Sequence, residues 1–204
     1  MAKIPARYKF LTEANSTTAL LDVALKHLGL IEGADKANNP TIVNWADVVA
    51  RGMSTQYTNW AADWYNKDSV PWCGLFLAYC AIESRGDAKD RNPVHNYLSA
   101  LAWAAFGVPV QWRGREGPRL NNVWVGDIAI FTRNGGGHVA IVIGVTTDGK
   151  SVICVGGNQE NTVSIKQFPI SRLYAVRRPP YKTQPAGARH VRLNSTGINS
   201  TSEQ

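Results

Sequence analysis

Cysteine and long apolar runs are both scarce in this chain. Its 204 residues include three cysteines, Cys73, Cys80 and Cys154, which are too few and too odd in number for a disulfide framework and fit no zinc-binding spacing. No apolar run of about 18 residues occurs, so no membrane span is expected. Asp22 and Lys26 interrupt the apolar stretch near the N-terminus, which argues against a signal peptide. We therefore expect free thiols, no metal and no cofactor.

Acidic residues are in the minority. The 22 Lys and Arg residues against 15 Asp and Glu give a net charge of +7, and much of this excess lies in residues 172–204. A basic segment suggests an anionic partner, either nucleic acid or a bacterial envelope. Residues 183–204 are rich in Ser, Thr, Asn and Gly and lack an apolar face, so we predict a disordered basic tail there.

The apolar content of 44% is enough for one substantial core. Helical periodicity dominates the front half and predicts helices over 16–30, 41–50, 73–82 and 95–106. From Val123 the period changes to two, which predicts strands over 127–132, 138–145, 151–155, 161–166 and 172–177. This order indicates an α+β fold, with N-terminal helices on an antiparallel sheet of about five strands. We expect an N-terminal extension over 1–15, one domain over 16–182 and the tail over 183–204.

Cys73 is the strongest candidate nucleophile. Pro71 and Trp72 precede it and change an extended chain into a helix, so the sulfur would lie at a helix N-terminus, where a thiolate is stabilised. Cys80 lies two turns further along the same helix and Cys154 lies inside an apolar strand. Both of these are expected to be core residues.

His138 is the candidate base. It follows three glycines and opens a strand. A hairpin turn at Asp148-Gly149 would place it across from Gln159, on strands about 5 Å apart. A bulge at Gly156-Gly157 would bring Asn158 to the same place instead. Strand geometry leaves both amides open as the group that orients the imidazole.

Four motifs in a fixed order resemble the compact papain-like peptidases of the NlpC and CHAP (cysteine, histidine-dependent amidohydrolase/peptidase) type. They are Trp-Cys at 72–73, Gly-Asp-Ile-Ala-Ile-Phe at 126–131, Gly-His-Val-Ala-Ile-Val at 137–142 and Gly-Gly-Asn-Gln at 156–159. The stretch with Glu32-Gly33 and Asn39-Pro40 is similar to one bacterial and phage subgroup of these enzymes. The resemblance implies a papain-like fold with the nucleophile helix packed on the sheet.

The resemblance also implies a peptidoglycan hydrolase that cleaves an amide bond of the peptide stem, as an endopeptidase or an N-acetylmuramoyl-L-alanine amidase. Cys73 would be the nucleophile, His138 the base and Asn158 the orienting residue. The Cys73 N–H would be the first oxyanion donor, and the second stays open. The residues expected to bind substrate are Trp72, Gln159, Asp68 and Trp64, although the aromatic residues before Cys73 also fit core packing.

The implied partner is peptidoglycan rather than nucleic acid, with a cognate immunity protein or a secretion component as a further candidate. Such an enzyme would be made in the cytoplasm and act at the cell wall or in the periplasm after phage lysis or dedicated secretion, as an endolysin or an antibacterial effector. Two alternatives on the same fold are an acyltransferase and a catalytically silent wall-binding module.

Overall fold

The computed structural model describes residues 3–34, 37–53, 64–86, 91–112 and 120–200. Its α-helices are α1 (Ala19–Lys26), α2 (Pro40–Gly52) and α3 (Cys73–Ser84). Short 3-10 helices cover Ala6–Thr12, Ala100–Ala105, Leu120–Asn122 and Ile170–Arg172. None of the helices in these ranges is long and apolar enough to cross a membrane.

Local sequence signals set where the first two helices begin. The Thr18 hydroxyl accepts the Leu21 N–H at the start of α1, and the Asn39 side chain accepts the Thr41 N–H at 2.9 Å at the start of α2. Pro40 is the first residue of α2, where its missing N–H costs no helical hydrogen bond. Helix α3 has no side-chain cap and is buried over most of its length, so packing rather than capping fixes its start.

The strands within the described residues form one seven-stranded sheet. They are β1 (Val108–Trp112), β2 (Ile128–Arg133), β3 (Gly136–Thr146), β4 (Ser151–Gly156), β5 (Ser164–Pro169), β6 (Leu173–Arg178) and β7 (Arg192–Leu193). The order is β1-β6-β2-β3-β4-β5 with antiparallel neighbours, and β7 pairs in parallel with the end of β3. Strand β6 therefore lies between two strands that precede it in the chain.

Two cores lie on the two faces of this sheet. Val139 and Ile141 point to the helical side and share a buried cluster with Cys73, and both α1 and α2 pack on α3. Phe131 and Phe168 belong to a second cluster on the other face. The period-two alternation of β3 thus places neighbouring residues in different cores, and α3 is held between the sheet and the other helices.

The predicted α+β layout is confirmed. All five predicted strands occur, with ends shifted by at most three residues, and β1 and β7 were not predicted. The helix predicted over 95–106 is reduced to a 3-10 helix at Ala100–Ala105. Tertiary contacts override the helical pattern there: the Trp103 indole N–H donates to the Tyr97 carbonyl at 3.0 Å, and the Tyr97 carbonyl lies against Gly74 of α3.

The C-terminal segment differs from the disordered tail predicted over 183–204. Residues 183–200 lie against the sheet: β7 pairs with β3, and the Gln167 side-chain oxygen accepts the Thr196 N–H at 2.8 Å. The Ser200 N–H donates to the Gln167 carbonyl at 2.7 Å. Backbone pairing and one buried glutamine therefore hold a segment that has no apolar periodicity, and residues 201–204 lie outside the described residues.

Candidate active site

Cys73 is the first residue of α3, and the backbone around it is packed tightly. The Trp72 carbonyl accepts the Phe76 N–H at 2.9 Å and closes the first turn. A Cβ atom on Gly74 would lie 2.2 Å from the Tyr97 carbonyl oxygen, so only glycine allows this turn to approach that segment. The predicted position of Cys73 at a helix N-terminus is confirmed.

The Cys73 thiol lies at the edge of β3, beyond the point where β4 ends. Val142 donates its N–H to Asp127 on the β2 side, so by alternation along the strand the Val139 N–H points to the opposite edge. The ladder between β3 and β4 ends at Ile141. At Val139 the edge of β3 is therefore not covered by β4, and the start of α3 lies there. The Val139 N–H lies near enough to the Cys73 sulfur to lower the pKa of the thiol.

Opposing effects set the acidity of this thiol. Only 3% of Cys73 is exposed, and burial raises its pKa because an apolar environment disfavours the charged sulfur. The N–H groups of Val139 and Gly74 and the charge of Arg133 lower the pKa. Burial has the largest effect, so the pKa of Cys73 is raised and a neighbouring base is needed to form the thiolate.

His138 directly precedes Val139 on β3 and is fully buried. It lies across from Phe131 in the β2–β3 ladder, and its ring stacks on Phe168 with the centroids 5.3 Å apart. The imidazole Nε2 lies 3.1 Å from Oε1 of Gln159. These contacts fix the orientation of the ring. His138 is the residue directly before Val139, whose N–H lies near the thiol.

The hydrogen bonds of Gln159 determine which tautomer His138 adopts. The Gln159 Nε2 group donates to the Ser164 carbonyl at 2.6 Å, which settles the orientation of the amide. Its Oε1 atom can only accept, so Nε2 of His138 carries the hydrogen in their shared bond. In the neutral ring Nδ1 is therefore the basic nitrogen.

Both glycines of the Gly-Gly-Asn-Gln motif are required by close packing. A Cβ atom on Gly156 would lie 2.7 Å from Oε1 of Gln159, and one on Gly157 would lie 2.6 Å from the Trp72 ring. Real Cβ contacts are never that short in a packed interior. The loop that carries Gln159 can therefore press against the start of α3 only because these two positions lack side chains.

The side-chain oxygen of Gln159 accepts a hydrogen bond from the imidazole Nε2. The irregularity in the β3–β4 ladder falls within β3, between Val142 and Gly144, and not at Gly156-Gly157 as the alternative register required. Asn158 is buried beside the site, with a positive φ of 57°. Beyond this irregularity Ile141 pairs with Val155, so the ladder near His138 is shifted by one residue from the simple hairpin count. The count named the amide that contacts the imidazole, but the register on which it rested does not occur.

Two residues predicted to bind substrate are buried and have structural partners. Trp72 is fully buried and donates its indole N–H to Glu32 at 3.0 Å. Asp68 is 2% exposed and accepts the N–H groups of Gly33 and Asn39, each at 2.7 Å. These contacts give both side chains a structural role, and their predicted part in substrate binding stays a prediction.

The other two predicted substrate residues differ in exposure. Gln159 is fully buried and its side chain contacts His138 and Ser164, and its part in substrate binding stays a prediction. Trp64 is 56% exposed, and its role in binding stays a prediction. Within the described residues no group of three or more His, Cys, Asp or Glu side chains is arranged to hold a metal.

Three residues near the site were missed by the sequence reasoning. Tyr65 is buried, and burial is the main reason that its pKa is raised. Nearby negative charges, including that of Cys73 when ionised, raise the pKa further. Arg133 donates its Nε–H to the Gly137 carbonyl at 3.2 Å, and Leu101 packs on Gly137. The one sequence signal among them was the place of Arg133, directly after the strand predicted over 127–132.

Comparison with known protein families agrees with this geometry. Residues 64–158 match the model of the CHAP domain, a range that contains both Cys73 and His138. No curated protein matches the chain. CHAP domains belong to a family of amidases and peptidases of the peptidoglycan-hydrolase type. Residues 64–158 are thus similar to CHAP domains, the cysteine, histidine-dependent amidohydrolase/peptidase type that the motif order had indicated.

Proposed function

We propose that this protein hydrolyses an amide bond of the peptidoglycan peptide stem, with Cys73 as nucleophile and His138 as base. The observation that carries the proposal is the packing of Cys73, at the start of α3, in one buried cluster with Val139, the residue next to His138. This packing brings a thiol at a helix start to the strand that bears the imidazole, and thiol catalysis needs these two groups together.

The proposed reaction is acyl transfer through a thioester. Nδ1 of His138 takes the thiol proton, and the sulfur of Cys73 attacks the carbonyl carbon of the stem amide. The imidazolium returns the proton to the leaving amine as the carbon–nitrogen bond breaks. Water then gives a proton to the same nitrogen, attacks the thioester and releases the acid and the thiol.

Gln159 is the orienting residue in this proposal. Its acceptor oxygen keeps the hydrogen on Nε2, and the bond strengthens when the ring becomes positively charged. The Cys73 N–H is the proposed first oxyanion donor, because N–H groups in the first turn of a helix have no helical acceptor.

The biological setting is part of the same proposal. The enzyme would act at the bacterial cell wall, either as a phage endolysin or as an antibacterial effector with a cognate immunity protein or a secretion component. Neighbouring genes distinguish the two: genes for lysis proteins favour the endolysin, and genes for an immunity protein or a secretion apparatus favour the effector.

The test compares two cysteines on one helix. Cys73→Ala should abolish the release of new amino groups from purified peptidoglycan, whereas Cys80→Ala, at a buried position two turns along α3, should retain it. Circular dichroism should show that both variants are folded. Hydrolysis retained by Cys73→Ala would overturn the thiol mechanism, and transfer of the acyl group to an added amine without hydrolysis would favour the acyltransferase.

A further inference from the structure

Arg133 places a positive charge beside the candidate catalytic groups. It is the last residue of β2 and pairs with Gly136 across the β2–β3 hairpin. Its Nε–H donates to the Gly137 carbonyl at 3.2 Å, and Gly137 directly precedes His138. The guanidinium is therefore fixed at the end of the hairpin from which the candidate base projects.

The same guanidinium is close enough to Cys73 for its charge to stabilise the thiolate. Arg133 is partly exposed, whereas the thiol and the imidazole are buried. On Gly137 a Cβ atom would lie 2.7 Å from a methyl group of Leu101, which is itself exposed. A cationic and an apolar side chain, both reached by solvent, thus border the hairpin that bears His138.

A carboxylate on the substrate would be poorly tolerated next to a thiolate without a cation. Two negative charges about 5 Å apart repel each other strongly when water is excluded, and burial already disfavours the charged sulfur of Cys73. A guanidinium offsets this repulsion and offers a planar set of donors that matches a carboxylate.

We propose that Arg133 is a specificity-determining residue that binds a free carboxylate of the peptide stem next to the scissile amide. The inference rests on the proposed function, because it assigns the substrate class of the same site. Peptide stems in which this group is a carboxamide are correspondingly poor substrates.

The test uses two soluble stem peptides that are identical except for a carboxylate or a carboxamide beside the scissile bond. The wild type should prefer the acid by about 10- to 100-fold in kcat/KM, mostly through KM, as expected for a charge-assisted contact. Arg133→Gln should bring the acid-to-amide ratio close to one. Arg133→Lys should give an intermediate ratio, since it keeps the charge without the planar fork.

Arg177→Gln is the matched control. Arg177 also donates its Nε–H to a backbone carbonyl, that of Phe106 at 2.6 Å, and it lies on β6. Its loss should leave the acid-to-amide ratio at the wild-type value. Thermal unfolding should be followed for every variant, and the Lys variant keeps the test decisive if Arg133→Gln is unstable.

Two results overturn the inference and leave the hydrolase proposal standing. One is equal kcat/KM of the wild type for both peptides. The other is a loss of kcat in Arg133→Gln that is the same for both peptides, which would show that Arg133 only supports the hairpin. Cleavage of neither peptide nor of purified peptidoglycan by the wild type would overturn the proposed function itself.

Discussion

Removing the amide of Gln159 should reduce turnover without removing the nucleophile or the base. Gln159→Met keeps a similar side-chain volume but removes the oxygen that accepts the His138 N–H. Both residues are fully buried, so the N–H is left without an acceptor in the interior. An unmade buried hydrogen bond to a group that becomes charged costs about 1.5–3 kcal/mol. If that cost falls on the transition state, kcat decreases by about 10- to 150-fold.

The matched control for this change is Gln167→Met. Gln167 is also a buried glutamine, and its amide nitrogen donates to Asn199 at 3.1 Å rather than to an imidazole. Both variants should lose thermal stability, because each loses buried hydrogen bonds, but only Gln159→Met should lose kcat. The assay is turnover of a soluble stem peptide alongside thermal unfolding.

Asn158→Gly supplies the result that would refute this reasoning. Glycine accepts the positive φ of this position without strain, so the variant removes the side chain and leaves the backbone in place. A greater loss of kcat in Asn158→Gly than in Gln159→Met would show that Asn158 orients the imidazole, as the family resemblance implies.

Three further predictions concern stability and packing. Burial lowers the pKa of His27, so the unfolded chain binds its proton more readily. The free energy of unfolding should therefore fall as the pH decreases below about 6.5, and His27→Gln should show a smaller fall in urea titrations at several pH values. Asp127→Ala should lower the free energy of unfolding by about 3 kcal/mol. The variant leaves the Arg178 guanidinium without the buried carboxylate that lies 2.7 Å from its Nε. An unchanged urea midpoint would contradict this prediction. Gly157→Ala should lower both melting temperature and activity, because its Cβ would overlap the Trp72 ring, and wild-type behaviour would mean that the loop can shift.

Much of the fold could be predicted because its signals are local. Apolar spacing predicted the three helices, and alternation predicted β2 to β6. Strand β1 contains Pro109 and has no clear alternation, and β7 is two residues long. Both segments are strands because a neighbouring strand supplies hydrogen-bond partners. The residue pattern within a segment does not indicate which strand will lie beside it.

The site was predicted in part for a related reason. The helix-start position of Cys73 follows from the residues just before it. Counting across the hairpin named Gln159, which contacts His138, but it missed the irregularity between Val142 and Gly144 that shifts the ladder by one residue. The structural contacts of Trp72 and Asp68 were not predicted, because sequence proximity to the nucleophile does not reveal burial. Trp72 fits between α2 and α3, where its ring lies 5.9 Å from that of Trp45, a contact that no local pattern encodes.

The insertion of β6 between β1 and β2 limits how this enzyme can be engineered. The matched range ends at residue 158, whereas β6 spans Leu173–Arg178. A fragment cut to the matched range would leave β1 without its partner and open one edge of β2, and an open edge invites pairing between chains. It would also lack α1 and α2, which cover α3. The unit to transfer into a fusion protein is therefore residues 3–200, because the matched range alone lacks the strand and helices that complete its fold.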